Sequence, residues 1–174
     1  MASSFSQQVG KTLRVFHERV AVDSDTFELV KYLDRFAAEH KIPKRQFIIY
    51  PDASGAARNT AGKSDHQIIR QAGYRIKASK KNPFVKDRVN CVNGILRPVA
   101  GTPRMFIDPS CVETIKCFRN QIWKENSDPP EPDKEHGFDH MMDAVGYKVW
   151  NLFPLRMSAS LGRSPQDSPQ RKVA

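Results

Sequence analysis

Two short stretches hold carboxylates in settings where a carboxylate can do chemistry. In Phe47-Ile48-Ile49-Tyr50-Pro51-Asp52-Ala53-Ser54-Gly55 an apolar run stops at Pro51 and delivers Asp52 into a turn of small residues, as α/β proteins present reactive groups at the carboxyl ends of strands. In His136-Gly137-Phe138-Asp139-His140-Met141-Met142-Asp143-Ala144, Asp139 and Asp143 are four apart and His140 and Asp143 three apart, neighbouring positions on one helical face. Carboxylate oxygens are hard donors. They suit Mg²⁺ or Mn²⁺ better than Zn²⁺, which favours Cys and His, and two such ions about 4 Å apart can activate water and stabilise the leaving oxygen of a phosphodiester.

Each residue alone also has an ordinary reading. Asp52 is a common turn residue, Asp139 suits the N-terminal cap of its helix, His140 is a surface polar group and Glu18 a solvent-facing strand residue. Taken together, they give the expectation of a divalent-metal site at Asp52 and Asp143 with His140 beside it. Asp139, Asp65 and Glu18 are additional candidates.

The surrounding composition favours a polyanionic partner. The 174 residues carry a formal net charge of +9 and a pI of about 9.6, and clustered Lys and Arg bind phosphates by releasing counterions. From Arg70 to Arg104 nine basic residues face one acidic residue, Asp87. Lys80, Lys81, Lys86, Arg88 and Arg97 are the expected DNA-backbone contacts, with Lys86 and Arg88 pointing out from a helix that packs through Val85, Val89, Val92 and Leu96. No long apolar run or basic amphipathic helix favours a membrane. Cys91, Cys111 and Cys117 lack a metal-ligand spacing and read as buried thiols. Met1 to Gln8 has neither a basic leader nor an apolar core, so the expected location is the cytoplasm.

These groups are positioned by alternating strands and helices. Thr12 to Glu18 alternates Leu13, Val15 and His17 with Arg14, Phe16 and Glu18 and pairs through a Gly10-Lys11 turn with a preceding strand. Asp23 to Thr26 starts a helix with Leu29, Val30, Leu33, Phe36, Ala37 and His40 at helical spacing, which ends near Lys41, before Pro43. The buried strand Phe47–Tyr50 follows. A helix capped by Ser64 or Asp65, a strand at 74–77, a strand at 104–108 and a helix over 111–125 with Val112, Ile115, Phe118 and Ile122 on its stripe come next. The last helix spans 138–150 and buries Met142, Val145, Val149 and Leu152. This order predicts an α/β fold with a sheet parallel at least in part. Residues 1–154 read as one domain and 155–174 as a disordered basic tail.

The ordered set YPDASGAARNT, KSDHQIIRQAGY, NPFVKDRVNCVN, RMFIDPSC and FDHMMDAVGY resembles the C-terminal nuclease domain of tailed-phage terminase large subunits. The resemblance runs from about Gly10 to Pro154. It implies an RNase H-like mixed sheet flanked by helices and a two-metal endonuclease that cuts concatemeric viral DNA during packaging. By motif, Asp52 corresponds to the second acidic ligand, Asp143 to the last, and His140 to the histidine beside the metals. Implied partners are double-stranded DNA, the terminase ATPase domain, the small terminase subunit and the portal protein, in the cytoplasm of a bacterial host. Residues 1–174 hold no GxxxxGK[ST] phosphate loop. The family's first catalytic Asp lies on an opening strand resembling DFNVNPM, and this sequence starts at the Met of that stretch, so the N-terminal strand of the fold is expected to be missing or incomplete. The alternatives are a non-catalytic DNA-binding or packaging-assembly remnant and another RNase H-like nuclease such as a junction resolvase.

Overall fold

The computed structural model describes residues 1–57, 62–99, 101–128 and 131–154; the tail expected at 155–174 lies outside them. β1 (Ala2–Val9) and β2 (Thr12–Val20) form an antiparallel hairpin. Its turn places Gly10 at φ +58, a left-handed conformation that a residue without Cβ adopts cheaply. β2 pairs in parallel with β5 (Met105–Ile107), giving the order β1-β2-β5. β3 (Ile48–Ile49) and β4 (Arg75–Ile76) make a second, two-stranded parallel sheet. The mixed α/β class stands, with its sheet in two pieces.

The helices are α1 (Thr26–Glu39), α2 (Asp65–Gln71), α3 (Val85–Leu96), α4 (Val112–Asn120) and α5 (Asp139–Leu152). Asp25 caps α1 by accepting from the Glu28 N–H, and Ser64 and Gln67 form a reciprocal capping box on α2, as such residue types at such spacings do. α4 is shorter than its apolar spacing suggests. At Gln121 the backbone turns extended, and Ile122 then accepts the Asp133 N–H at 2.9 Å while Trp123 bridges to Pro132. Those backbone bonds replace the helical ones; Val112 and Ile122 are exposed, and Thr114 and Cys117 are the buried positions of α4.

A bulge decides which helix each face of β2 meets. Phe5 pairs with His17 but the next residue, Ser6, pairs with Val15, leaving Phe16 as the extra residue; a bulge of this kind shifts the side-chain alternation. Before it, Leu13 packs with Cys91, Val92 and Ile95 of α3 and Val145 and Val149 of α5. After it, His17 lies against Phe36 and Tyr32 of α1, and Glu18 turns to α4. The expected grouping of His17 with Leu13 and Val15 therefore fails at Phe16. α1 and α2 enclose a second cluster of Phe5, Leu33, Phe36, Ile69 and Tyr74.

β3 was expected to be a buried strand, yet Ile48 is 42% exposed. Among the described residues it has a strand neighbour, β4, on one side only, and β1 is likewise paired to β2 alone. No helix among the described residues is long and apolar enough to cross a membrane.

Candidate functional site

Asp52 follows β3 and caps a short 3-10 turn at Ala53–Ala56. Its Oδ1 accepts the Ser54 N–H and the Asn82 Nδ2–H, each at 2.7 Å, and its Oδ2 accepts the Tyr147 hydroxyl at 2.7 Å. Partial burial pushes its carboxyl up, but the bonds from Asn82, Tyr147 and Ser54 outweigh this and bring the pKa down to about 2. Asp52 is a carboxylate at neutral pH. Behind it the buried His66 donates from Nε2 to the Asp52 carbonyl at 2.9 Å. A Cβ on Gly55 would lie 3.1 Å from that imidazole, which gives the small residues after Asp52 a packing reason.

Asp143 arrives from α5, whose exposed and buried sides separate by helical spacing. Its Oδ1 accepts from Nη2 of Arg88, which is only 4% exposed. The guanidinium also lies over the Tyr147 ring, 4.5 Å from its centroid. Gly146 makes this possible, because a Cβ there would come within 2.9 Å of Cγ and Cδ of Arg88. Burial pushes the Asp143 carboxyl up, Arg88 pulls it down, and Asp139 and Asp52 add to the rise; the net shift is upward. Tyr147 joins the two halves, its own pKa lifted to about 12 by burial and by its bond to Asp52.

Arg88 thus corrects one sequence expectation. It is no outward DNA contact: α3 buries Arg88, Cys91, Val92 and Ile95, a face turned away from the expected Val85, Val89, Val92 and Leu96 stripe because α5 offers Gly146 and Asp143 to the guanidinium. Lys80, Lys81, Lys86 and Arg97 are exposed.

The other candidates separate. His140 is exposed but lines the same cavity as Asp52 and Asp143. Asp65 also lines it and accepts from Thr26 Oγ1 at 2.8 Å. Asp139 is not the cap; Phe138 holds that position without a side-chain bond. Asp139 is the first helical residue, buried, its Oδ1 without a hydrogen-bond partner among the described residues and 3.6 Å from Nδ1 of His140. It faces a smaller cavity of about 190 Å³ on the other side of Asp143. Met141, not Met142, is the buried methionine of α5.

Glu18 lies apart from the cavity. Its two oxygens accept the Glu113 N–H at 2.8 Å and the Thr114 N–H and Oγ1–H at 2.7 Å. A carboxylate on the first N–H groups of a helix satisfies donors that have no helical partner and complements the helix dipole. Its lone pairs are committed to holding α4 on β2.

For a divalent cation the donor type fits, and two carboxylates are a usual protein share of a Mg²⁺ shell that water and phosphate complete. Asp52 and Asp143 offer hard oxygens on one cavity, but among the described residues no three His, Cys, Asp or Glu side chains converge as a metal-holding group. Arg88 takes one oxygen of Asp143, and hydrogen bonds take both of Asp52. Sequence reasoning missed Tyr147, Asn82 and Lys148. Tyr147 was within reach, since it lies one helical turn beyond Asp143 on the same face.

No protein-family model matches the chain, and no curated protein matches it. Among solved structures, the large terminase from a thermophilic bacteriophage in complex with ATP-γ-S is similar, with a TM-score of 0.65 at 19% sequence identity. The match covers 86% of this chain and 36% of that one, so the chain spans about a third of the terminase's length. The likeness is one of fold, a mixed α/β architecture with helices flanking the strands.

Proposed function

We propose that residues 1–154 are a terminase-type nuclease domain that acts on double-stranded DNA during phage genome packaging. The observation that carries this reading is the convergence of Asp52 and Asp143 through Tyr147 and Arg88 at the end of β3, in a chain whose fold is similar to part of a phage large terminase. Asp52 and Asp143 are the two oxygen donors that the chain offers to Mg²⁺ or Mn²⁺. Bound there, the metal would supply water activation and charge neutralisation in phosphodiester cleavage, with water and phosphate oxygens filling its other positions. The exposed Lys80, Lys81, Lys86 and Arg97 hold the DNA backbone. On this reading the ATPase domain, the small subunit and the portal are the partners, and the host cytoplasm is the place of action.

A specific observation favours a second reading. The Arg88–Asp143 pair and the saturated Asp52 describe a stable structural network as well as an acidic centre, which suits a DNA-binding packaging module without chemistry. Incubation with supercoiled plasmid and Mn²⁺ separates the two. Nicking that is lost in Asp52→Asn supports the nuclease. Salt-dependent DNA binding without nicking supports the binding module, and absence of DNA binding overturns both.

A further inference from the structure

The smaller cavity beside Asp143 holds polar groups that nothing in the fold uses. It lies where α4 gives way at Gln121 to an extended segment, and its apolar walls are Val92 of α3, Phe118 of α4, Met142 of α5 and Trp123 of that segment. At about 190 Å³ it is smaller than the pockets of about 300–1,000 Å³ that take drug-sized ligands. A group the size of one side chain fits it.

Two buried acceptors on its lining residues lack donors. Asp139 is 7% exposed, and its Oδ1 has no hydrogen-bond partner among the described residues. His140 Nδ1, at 3.6 Å, is beyond hydrogen-bond range. Since no hydrogen bond holds the Asp139 carboxyl, a turn about its χ2 presents either oxygen. Oε1 of Gln121 is likewise buried and unpartnered. Its orientation is fixed, because Nε2 donates to the Ile122 carbonyl at 2.9 Å and to the Asp133 carbonyl at 2.8 Å, and a flipped amide would set oxygen against both carbonyls. A buried acceptor left unpaired is costly, so two of them at one cavity favour a guest that carries donors.

Charge and shape narrow that guest. The charged residues lining the cavity are Asp139, Asp143 and Arg88, and Arg88 is taken by Asp143, so the negative charge of Asp139 is the one left over. A single positive charge balances it. The rings of Trp123 and Phe118 favour a planar cation, which stacks on aromatic groups, and a guanidinium has five N–H donors in one plane, enough to serve two acceptors. A divalent metal ion suits the cavity less: among the described residues no three His, Cys, Asp or Glu side chains converge, and the Arg88 guanidinium shares the wall.

We propose that this cavity is a binding site for an alkylguanidinium group, paired with Asp139, donating also to Gln121 Oε1, and packed by its stem against Phe118, Trp123 and Met142. The site rests on neither the metal nor the DNA reading.

The test titrates n-butylguanidinium into the ¹⁵N-labelled full chain. The Trp123 indole and Gln121 side-chain amide signals are expected to move saturably in two-dimensional NMR, and Trp123→Phe identifies which of the two indole signals reports. n-Butylurea, alike in shape but uncharged, is expected to bind at least tenfold more weakly. Asp139→Asn, which keeps the shape and breaks no hydrogen bond, is expected to bring the guanidinium down to the affinity of the urea. N-acetyl-arginine N-methylamide separates the sources: binding of both guanidinium compounds assigns the site to an arginine side chain presented by a peptide, and binding of n-butylguanidinium alone assigns it to a free small cation. The proposal is overturned by absence of saturable shifts at Trp123 and Gln121, by equal affinity for the urea, or by unchanged affinity in Asp139→Asn with circular dichroism intact. If Asp139→Asn does not fold, the ratio of guanidinium to urea affinity in the parent chain decides. Displacement of the guanidinium by equimolar Mg²⁺ also overturns it, since the cavity then holds a metal.

Discussion

Tyr147 donates its hydroxyl to Oδ2 of Asp52 at 2.7 Å, tying the last helix to the end of a strand 95 residues earlier in the chain. Through the same ring, stacked under Arg88, Asp143 is tied to Asp52 as well. The two acidic groups are thus held as one unit, and removing either disturbs the other's neighbours.

The first consequence concerns stability. Asp143→Ala leaves the Arg88 guanidinium, 4% exposed, without its partner. Breaking a buried pair from one side costs about 3–5 kcal/mol, and solvent access on the Asp143 side puts the expected loss near the low end, about 3 kcal/mol. Asp143→Asn keeps an acceptor for Nη2 and loses less than half of that. Urea denaturation measures both. Equal stability of Asp143→Ala and the parent contradicts the buried-pair description.

Glu18 is expected to act on α4 and not on chemistry. Glu18→Gln retains acceptors but loses the charge on the helix N-terminus, and Glu18→Ala loses both, for a cost of about 1–2 kcal/mol. Thermal unfolding is expected to fall in both variants while Mn²⁺ affinity and DNA affinity stay at parent values. A fall in Mn²⁺ affinity in Glu18→Gln places the residue in the metal site instead.

Lys148 predicts a pH dependence whose sign is fixed. Its pKa is about 8 in the folded chain against an ordinary 10.5, so between those values the unfolded chain holds the extra proton and stability rises with pH. Relative to Lys148→Met, the parent is expected to gain stability from about pH 8 to about pH 10. A difference in melting temperature that stays flat over that window shows that the Lys148 ammonium is not desolvated.

Salt dependence tests the basic surface. Each phosphate contact removed by Lys80→Ala, Lys81→Ala, Lys86→Ala or Arg97→Ala is expected to reduce the slope of log K against log salt by about 0.9. Arg88 is excluded from this set by its burial. Unchanged slopes in all four variants move the DNA surface elsewhere.

Much of the element order was legible because it rests on local chemistry. The caps at Asp25 and Ser64, the glycine at the hairpin turn and the alternation of Leu13 and Val15 are signals that span a few residues each. What was not legible depends on a partner distant in sequence. Arg88 looks like any solvated cation until Gly146 and Asp143, more than 50 residues on, provide its pocket. Glu18 looks exposed until the bulge at Phe16 turns it toward α4. The acidic pair was foreseen from strand-end and helix spacing and from the resemblance, whereas the Tyr147 bond that joins it depends on a residue 95 positions from Asp52.

The most direct test of the central claim, that Asp52 and Asp143 work as one acidic centre on DNA, is a double-mutant cycle on Mn²⁺-dependent plasmid nicking. Residues that act as a unit are non-additive. The predicted result is that Asp52→Asn, Asp143→Asn and the double variant all lose nicking to the same background, with DNA binding retained. Nicking by the double variant at the parent rate contradicts the account.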